Sequence, residues 1–102
     1  MTEPQKTPAG VGAIGSFHAH IYWQTPDQRS IALTIRNWIS ERFLVALGRV
    51  HDAPIGPHAV AMYQVAFSRE TFASFAPWLM LNRQGLSVLI HPNTGRARDR
   101  EP

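Results

Sequence analysis

The feature of this 102-residue chain that most constrains its fold is the spacing of its apolar residues. Along the chain this spacing alternates between the two-residue period of a strand and the 3.6-residue period of a helix. Residues 16–23, Ser-Phe-His-Ala-His-Ile-Tyr-Trp, alternate between two faces, which is typical of a half-buried strand. Helical spacing of apolar residues follows. The predicted elements are a strand at 16–23, a helix at 26–42, strands at 43–52 and 61–67, a helix at 69–83 and a strand at 86–91. This β-α-β-β-α-β order predicts an α+β, ferredoxin-like fold, with two helices on one face of an antiparallel sheet.

Capping signals support both helices. Thr25 can cap the first helix, Pro26 suits its first position, and Gln28 stands where a capping-box partner belongs. Ser68 can cap the second helix, and Pro77 within it predicts a kink or a split. We expect Arg36 on the first helix to point outward.

The composition predicts one globular domain at residues 16–95, preceded by a flexible segment at 1–15 and followed by a polar tail at 96–102. No cysteine is present, which excludes disulfides, thiolate metal sites and a cysteine nucleophile. The net charge of +3 rests on arginines that are scattered along the domain, so we expect no nucleic-acid partner. No apolar run approaches the length of a membrane span and no signal peptide is visible, so we expect a cytoplasmic protein without a membrane partner.

All five histidines fall on predicted strands or in the loop between the second and third strands. His18 and His20 alternate on the first strand and therefore share one face, close enough to bind one metal ion. In the predicted topology the last strand lies beside the first, which brings His91 near this pair. His58 follows a rigid Pro-x-Gly-Pro turn and could reach the same end of the sheet. The alternative is that His18 and His20 are two histidines on a polar strand face, and that His58 and His91 have structural roles.

The pair His51-Asp52 has three interpretations. It could supply a metal ligand, form an acid/base dyad, or belong to a turn in which Asp52 caps backbone amides. The Pro-x-Gly-Pro sequence that follows favours the turn.

Four segments, FHAHIYW, GRVHDAPIGPH, MYQVAF and PWLMLNRQGLSVLIHPNTG, closely resemble the DOPA 4,5-dioxygenase family of small extradiol catechol-cleaving enzymes. They occur in the same order, and the match covers about residues 16–95, which is most of the chain. The resemblance implies a ferredoxin-like, usually dimeric domain that holds a non-haem metal through histidines. It extends to His18, His20, His51, His58 and His91, each of which stands in a matching motif.

The resemblance implies a chemistry and a set of site residues. Non-haem iron(II) is the expected metal, with zinc a possible occupant of purified protein, and a catechol and dioxygen are the expected substrates. The expected metal ligands are His18, His20, His58 and His91, and His51 or His58 could transfer the substrate protons. Tyr22 and Tyr63 could hydrogen-bond the substrate or the oxygen, or could be ordinary strand residues. Arg49 and Arg83 could pair with a substrate carboxylate, or could be solvated charges.

The sequence also departs from the family. Family members usually continue past HPNTG through an acidic stretch with another histidine, whereas here Gly95 is followed by Arg-Ala-Arg-Asp-Arg-Glu-Pro. We therefore expect a more open site.

The uncovered sheet face and the apolar residues at 78–81 predict a homodimer. Two other functions fit the same fold: a non-catalytic dimeric metal- or small-molecule-binding domain, and a cofactor-free oxygenase-like or isomerase-like dimer that binds an aromatic acid on the open sheet face.

Overall fold

A four-stranded antiparallel sheet carries two helices on one face in the computed structural model, which describes residues 3–54, 56 and 59–95. Its strands and helices are β1 (Ser16–Trp23), α1 (Pro26–Arg42), β2 (Ala46–Leu47), β3 (Ala61–Ser68), α2 (Arg69–Asn82) and β4 (Val88–Asn93). The strand order is β2-β3-β1-β4, so the predicted ferredoxin-like topology is confirmed. The predicted tail at 96–102 lies outside the described residues.

The hydrophobic core lies between the sheet and the helices. From β1, every second side chain enters it, and Ala19, Ile21 and Trp23 are almost fully buried. The helices contribute Ile35 and Phe75, which have no exposed surface. Because alternate strand residues face opposite ways, this burial leaves His18, His20 and Tyr22 on the face without helices.

Local capping explains why both helices begin where the sequence predicted. Thr25 Oγ1 accepts a hydrogen bond from the Gln28 backbone N–H at 3.1 Å, and Gln28 Oε1 accepts one from the Gln24 N–H at 2.8 Å. Ser68 Oγ accepts a hydrogen bond from the Thr71 N–H at 3.3 Å.

The second strand is much shorter than the predicted 43–52 because a bulge interrupts its pairing. The Gly48 N–H donates to the Gln64 carbonyl at 2.8 Å, and the next bridge joins His51 to Met62. Between these two bridges the chain advances three residues from Gly48 to His51 but only two from Gln64 to Met62, so the segment after β2 contains one extra residue. The bulge directs Val50 toward the core and keeps His51 on the face of its cross-strand partner, Met62.

Three other predictions about local structure need correction. Pro77 lies inside one uninterrupted helix, so it does not split α2. The fourth strand spans Val88–Asn93 rather than 86–91, because pairing with β1 continues to Ser16 opposite Asn93. Arg36 does not point outward, since its Nη2 donates to the Gly48 carbonyl at 2.8 Å.

No helix within the described ranges is long and apolar enough to cross a bilayer.

Candidate metal centre

Three histidines converge on the helix-free face of the sheet, and strand register brings them together. His18 and His20 alternate on β1, and His91 on β4 is the direct cross-strand partner of His18. Beside this pair, Asn93 Nδ2 donates to Ser16 Oγ at 3.0 Å, which fastens β4 to β1 next to the site. The predicted approach of His91 to the β1 histidines is therefore present in the structure.

The geometry of this histidine cluster, defined as His18, His20 and His91, is compact. One ring nitrogen from each residue lies within 4.8 Å of the other two. The ring centroids of His18 and His91 are 5.2 Å apart with nearly perpendicular planes, while His20 and His91 stack at 5.1 Å. His20 is the most enclosed of the three, with 5% of its surface exposed. The cluster thus offers three imidazoles from one side.

Hydrogen bonds indicate which ring nitrogen of His91 carries the proton and which one presents a lone pair to His20. Its Nδ1 lies 3.3 Å from the Pro92 carbonyl oxygen, which can only accept, so Nδ1 is the protonated nitrogen of a neutral ring. Nε2 then carries the lone pair and accepts from His20 Nε2–H at 3.0 Å. An imidazole held through its second nitrogen in this way is typical of a metal ligand.

The donor set fits a transition metal. Neighbouring ligands at right angles around an ion, with bonds of ~2.1 Å, lie about 3.0 Å apart. The two Nε2 atoms of His20 and His91 have this separation, 3.0 Å. Three neutral imidazoles with the remaining positions open suit iron, zinc or copper, and they do not suit magnesium or calcium.

The other two histidines have different relations to the cluster. His51 lies on the same face but on the far side of β3, opposite Met62, so it is not a fourth member of the compact group. The neighbouring Asp52 accepts hydrogen bonds from Arg29 at 2.6 and 3.3 Å rather than from His51. This bonding holds the pKa of Asp52 below its ordinary value. The predicted ligand His58 lies outside the described residues.

The two predicted tyrosines occupy opposite faces of the sheet. Tyr22 is on the histidine face, where its ring stacks on His20 with centroids 6.3 Å apart, and partial burial raises its pKa. Tyr63 is fully buried on the helix side, and its hydroxyl donates to the Ala32 carbonyl at 2.7 Å. The structure therefore brings Tyr22, and not Tyr63, to the histidine cluster.

The two predicted carboxylate-binding arginines also lie apart from the cluster. Arg83 donates to the Leu86 carbonyl at 2.9 Å, and it borders a hollow that includes Val88 and Ile90, on the opposite face of β4 from His91. Arg49 is exposed at the bulge beyond β2. The guanidinium of Arg83 is therefore not placed beside the histidines.

Sequence reasoning missed Gln64, which lies on the histidine face directly across from His20. The available signal was its alternation with Met62 and Ala66 together with the adjacency of the first and third strands.

Comparisons with known proteins give a consistent result. The sequence profile described as the Dopa 4,5-dioxygenase family matches residues 17–101. An uncharacterized 21.2 kDa protein from Botryotinia fuckeliana is 41% identical over 91 residues, which cover 85% of this chain and 50% of that protein. A DOPA 4,5-dioxygenase from Amanita muscaria is 36% identical over 89 residues, which cover 79% of this chain and 39% of that protein. The chain thus spans half or less of the length of these two relatives.

A solved structure extends the similarity to three dimensions. The crystal structure of a Nostoc punctiforme protein provisionally assigned as a dioxygenase superposes with a TM-score of 0.86 at 47% sequence identity. The similarity covers 90% of this chain and 80% of that one. Because the profile covers most of the sequence, and the fold and the histidine motifs agree with it, this chain belongs to the DOPA 4,5-dioxygenase family.

Proposed function

We propose that this protein is a metal-dependent extradiol dioxygenase that opens a catechol ring, of the DOPA type, with dioxygen. The observation that carries the proposal is the convergence of His18, His20 and His91, with one ring nitrogen from each within 4.8 Å of the others, on the helix-free face of the sheet. Family membership supports the reaction class. We infer non-haem iron(II) as the working metal, and zinc as an ion that purified protein could carry in its place.

In this proposal the three imidazoles hold the metal, and His58 is a further candidate ligand or proton carrier. Iron(II), when bound, supplies the redox chemistry that couples dioxygen to a catechol. The sheet face contributes the remaining functions through its own side chains.

Two side chains are suited to proton transfer and orientation. The phenol of Tyr22, whose pKa is raised by partial burial, carries its proton at neutral pH and is a hydrogen-bond donor suited to a substrate or oxygen atom. His51 lies on the same face across β3, and we propose it as the acid/base that takes up the catechol proton. Asp52 is engaged by Arg29, so His51 acts in this scheme without a carboxylate partner from Asp52.

The test is anaerobic reconstitution with iron(II), followed by measurement of oxygen uptake with a panel of catechols. Ring cleavage consumes oxygen and yields a yellow conjugated semialdehyde. A His18→Ala, His20→Ala double variant is expected to show neither signal. If the reconstituted protein retains iron but consumes no oxygen with any catechol, the non-catalytic metal- or small-molecule-binding function replaces this proposal.

A further inference from the structure

We propose that Gln64 is a substrate-positioning residue, whose side-chain amide donates a hydrogen bond to a catechol oxygen at the histidine cluster. This inference rests on the proposed function and names a contact that the histidines alone do not provide.

Strand pairing places Gln64 unusually close to the cluster. Gln64 is the cross-strand partner of His20 on β1. On its other side, its carbonyl accepts the Gly48 N–H at 2.8 Å, so the backbone polar groups of Gln64 point toward β2 and away from β1. His20 and Gln64 therefore form a non-hydrogen-bonded pair, the type in which opposed side chains approach most closely, with Cα atoms ~4.5 Å apart.

The amide of Gln64 is available for a ligand. Among the described residues, no backbone or side-chain group forms a hydrogen bond with it. It is half-buried and has Met62 and Ala66 as its neighbours along β3 on this face, and neither side chain can donate a hydrogen bond. A polar amide that is partly removed from water gains from a partner, and a bound hydroxyl oxygen would supply one.

The surrounding residues leave room for a flat ring. On the histidine face, β1 and β4 carry imidazoles. Toward the other edge of the sheet, three positions on this face carry only a methyl group or no side chain: Ala46, Gly48 and Ala66. At Gly48, an added Cβ would lie 3.3 Å from the Gln64 carbonyl oxygen and 3.5 Å from its Cβ, so glycine keeps the space beside Gln64 clear.

The chemistry of the substrate sets the direction of the hydrogen bond. A catechol held at a metal ion carries negative charge on its oxygens, and such an oxygen accepts hydrogen bonds. The amide NH₂ of Gln64 can donate, whereas a carboxylate at the same position could only accept and would repel the ligand. The proposal therefore predicts that a Gln64→Glu change is more damaging than loss of the polar group.

The experiment measures binding of 4-nitrocatechol to zinc-loaded protein, so that no ring cleavage occurs, through the change in its absorption spectrum. We compare wild type with Gln64→Met, which keeps the length of the side chain but cannot donate, and with Gln64→Glu. Gln24→Met, at an exposed position next to the start of α1, is the matched control. Zinc content and melting temperature are measured for each protein.

We expect the Gln64→Met variant to bind 4-nitrocatechol roughly tenfold more weakly, with unchanged zinc content, because one hydrogen bond to a charged oxygen is lost. The Gln64→Glu variant should bind more weakly still, and Gln24→Met should match wild type. In the iron-loaded enzyme, the Gln64→Met change should raise KM more than it lowers kcat.

Equal affinity for wild type and Gln64→Met would overturn the inference and leave the proposed function standing. If wild type takes up metal but does not bind the probe, the proposed function fails and the inference fails with it. Should Gln64→Met melt well below wild type, the comparison of Gln64→Glu with wild type decides, and unchanged affinity there also overturns the inference.

Discussion

The Nε2 atoms of His20 and His91 lie 3.0 Å apart, although the two residues are separated by 71 positions in the chain. The bond between them joins a central strand to an edge strand on the face that the helices leave open. Without a metal, His20 donates and His91 accepts. For a metal ion to engage both Nε2 lone pairs, the proton of His20 must move from Nε2 to Nδ1, so metal uptake should change the tautomer of His20.

The first prediction concerns metal content. A His18→Ala, His20→Ala double variant should lose its ability to retain iron(II) or zinc, because two of three converging imidazoles are gone. The measurement is elemental analysis after reconstitution and desalting. His51→Ala is the matched control, since it removes a histidine from the same face but from the far side of β3. Full metal retention by the double variant would contradict the assignment of the site.

A second prediction links the metal to thermal stability. An ion that binds the folded chain alone stabilises it by ~2.7 kcal/mol when its free concentration is 100 times its Kd. For a domain of this size, that corresponds to a rise in Tm of roughly 10–20 °C. We expect this rise when zinc is added to wild type and its reversal by a chelator, as followed by circular dichroism. A His91→Ala variant should show a much smaller rise, and an equal rise in that variant would argue for binding elsewhere.

Tyr63 gives a prediction for alkaline pH. Burial raises the pKa of Tyr63 far above its ordinary value, and the charge of Arg36 only partly opposes this. A group whose pKa is higher in the folded than in the unfolded chain favours folding fully below the unfolded-state pKa of about 10, and progressively less above it. The free energy of unfolding should therefore fall between pH 9 and pH 11.

The Tyr63→Phe variant separates this effect from packing. It should cost about 1 kcal/mol at pH 7, because the hydrogen bond to the Ala32 carbonyl is lost. It should also lose less stability than wild type above pH 10, with Tyr22 accounting for part of the remainder since its pKa is also raised. Urea unfolding at both pH values is the measurement, and parallel losses in the two proteins would refute the explanation.

The fourth prediction concerns the expected homodimer. Met80 and Leu81 on α2 are 71% and 85% exposed, which is unusual for large apolar side chains on a helix. If they contribute to a dimer interface, a Met80→Glu, Leu81→Glu variant should sediment as a monomer at tens of micromolar. Val11→Glu is the control, because Val11 is 76% exposed but lies in the segment that precedes β1. Monomeric wild type would exclude the dimer.

Where local chemistry decides the structure, the sequence was sufficient to predict it. The bounds of β1 and α1 agree with prediction because strict alternation ends at Trp23 and the hydrogen bond from the Gln28 N–H to Thr25 fixes the next turn. The approach of His91 to the β1 histidines was also predictable, since it follows from strand order and alternation alone.

The remaining features depend on contacts that local patterns do not contain. The bulge after Gly48 depends on register against β3, and the residues that form it have ordinary strand propensity. Arg36 has the sequence position of a solvent-facing helix residue. Its guanidinium nevertheless donates to the Gly48 carbonyl, which lies at the bulge. The position of Gln64 opposite His20 could be recognised only once the pairing of β3 with both of its neighbouring strands was known.

The placement of His91 on the last strand of the described chain has a consequence for protein synthesis. A nascent chain from which β4 has not yet emerged contains His18 and His20 but lacks the third imidazole. In the proposed metal site, two of the three ligands are therefore synthesised before the third, and tight binding of the metal requires that β4 has paired with β1. Bound metal would therefore indicate that all four strands have been synthesised and that β4 has paired with β1.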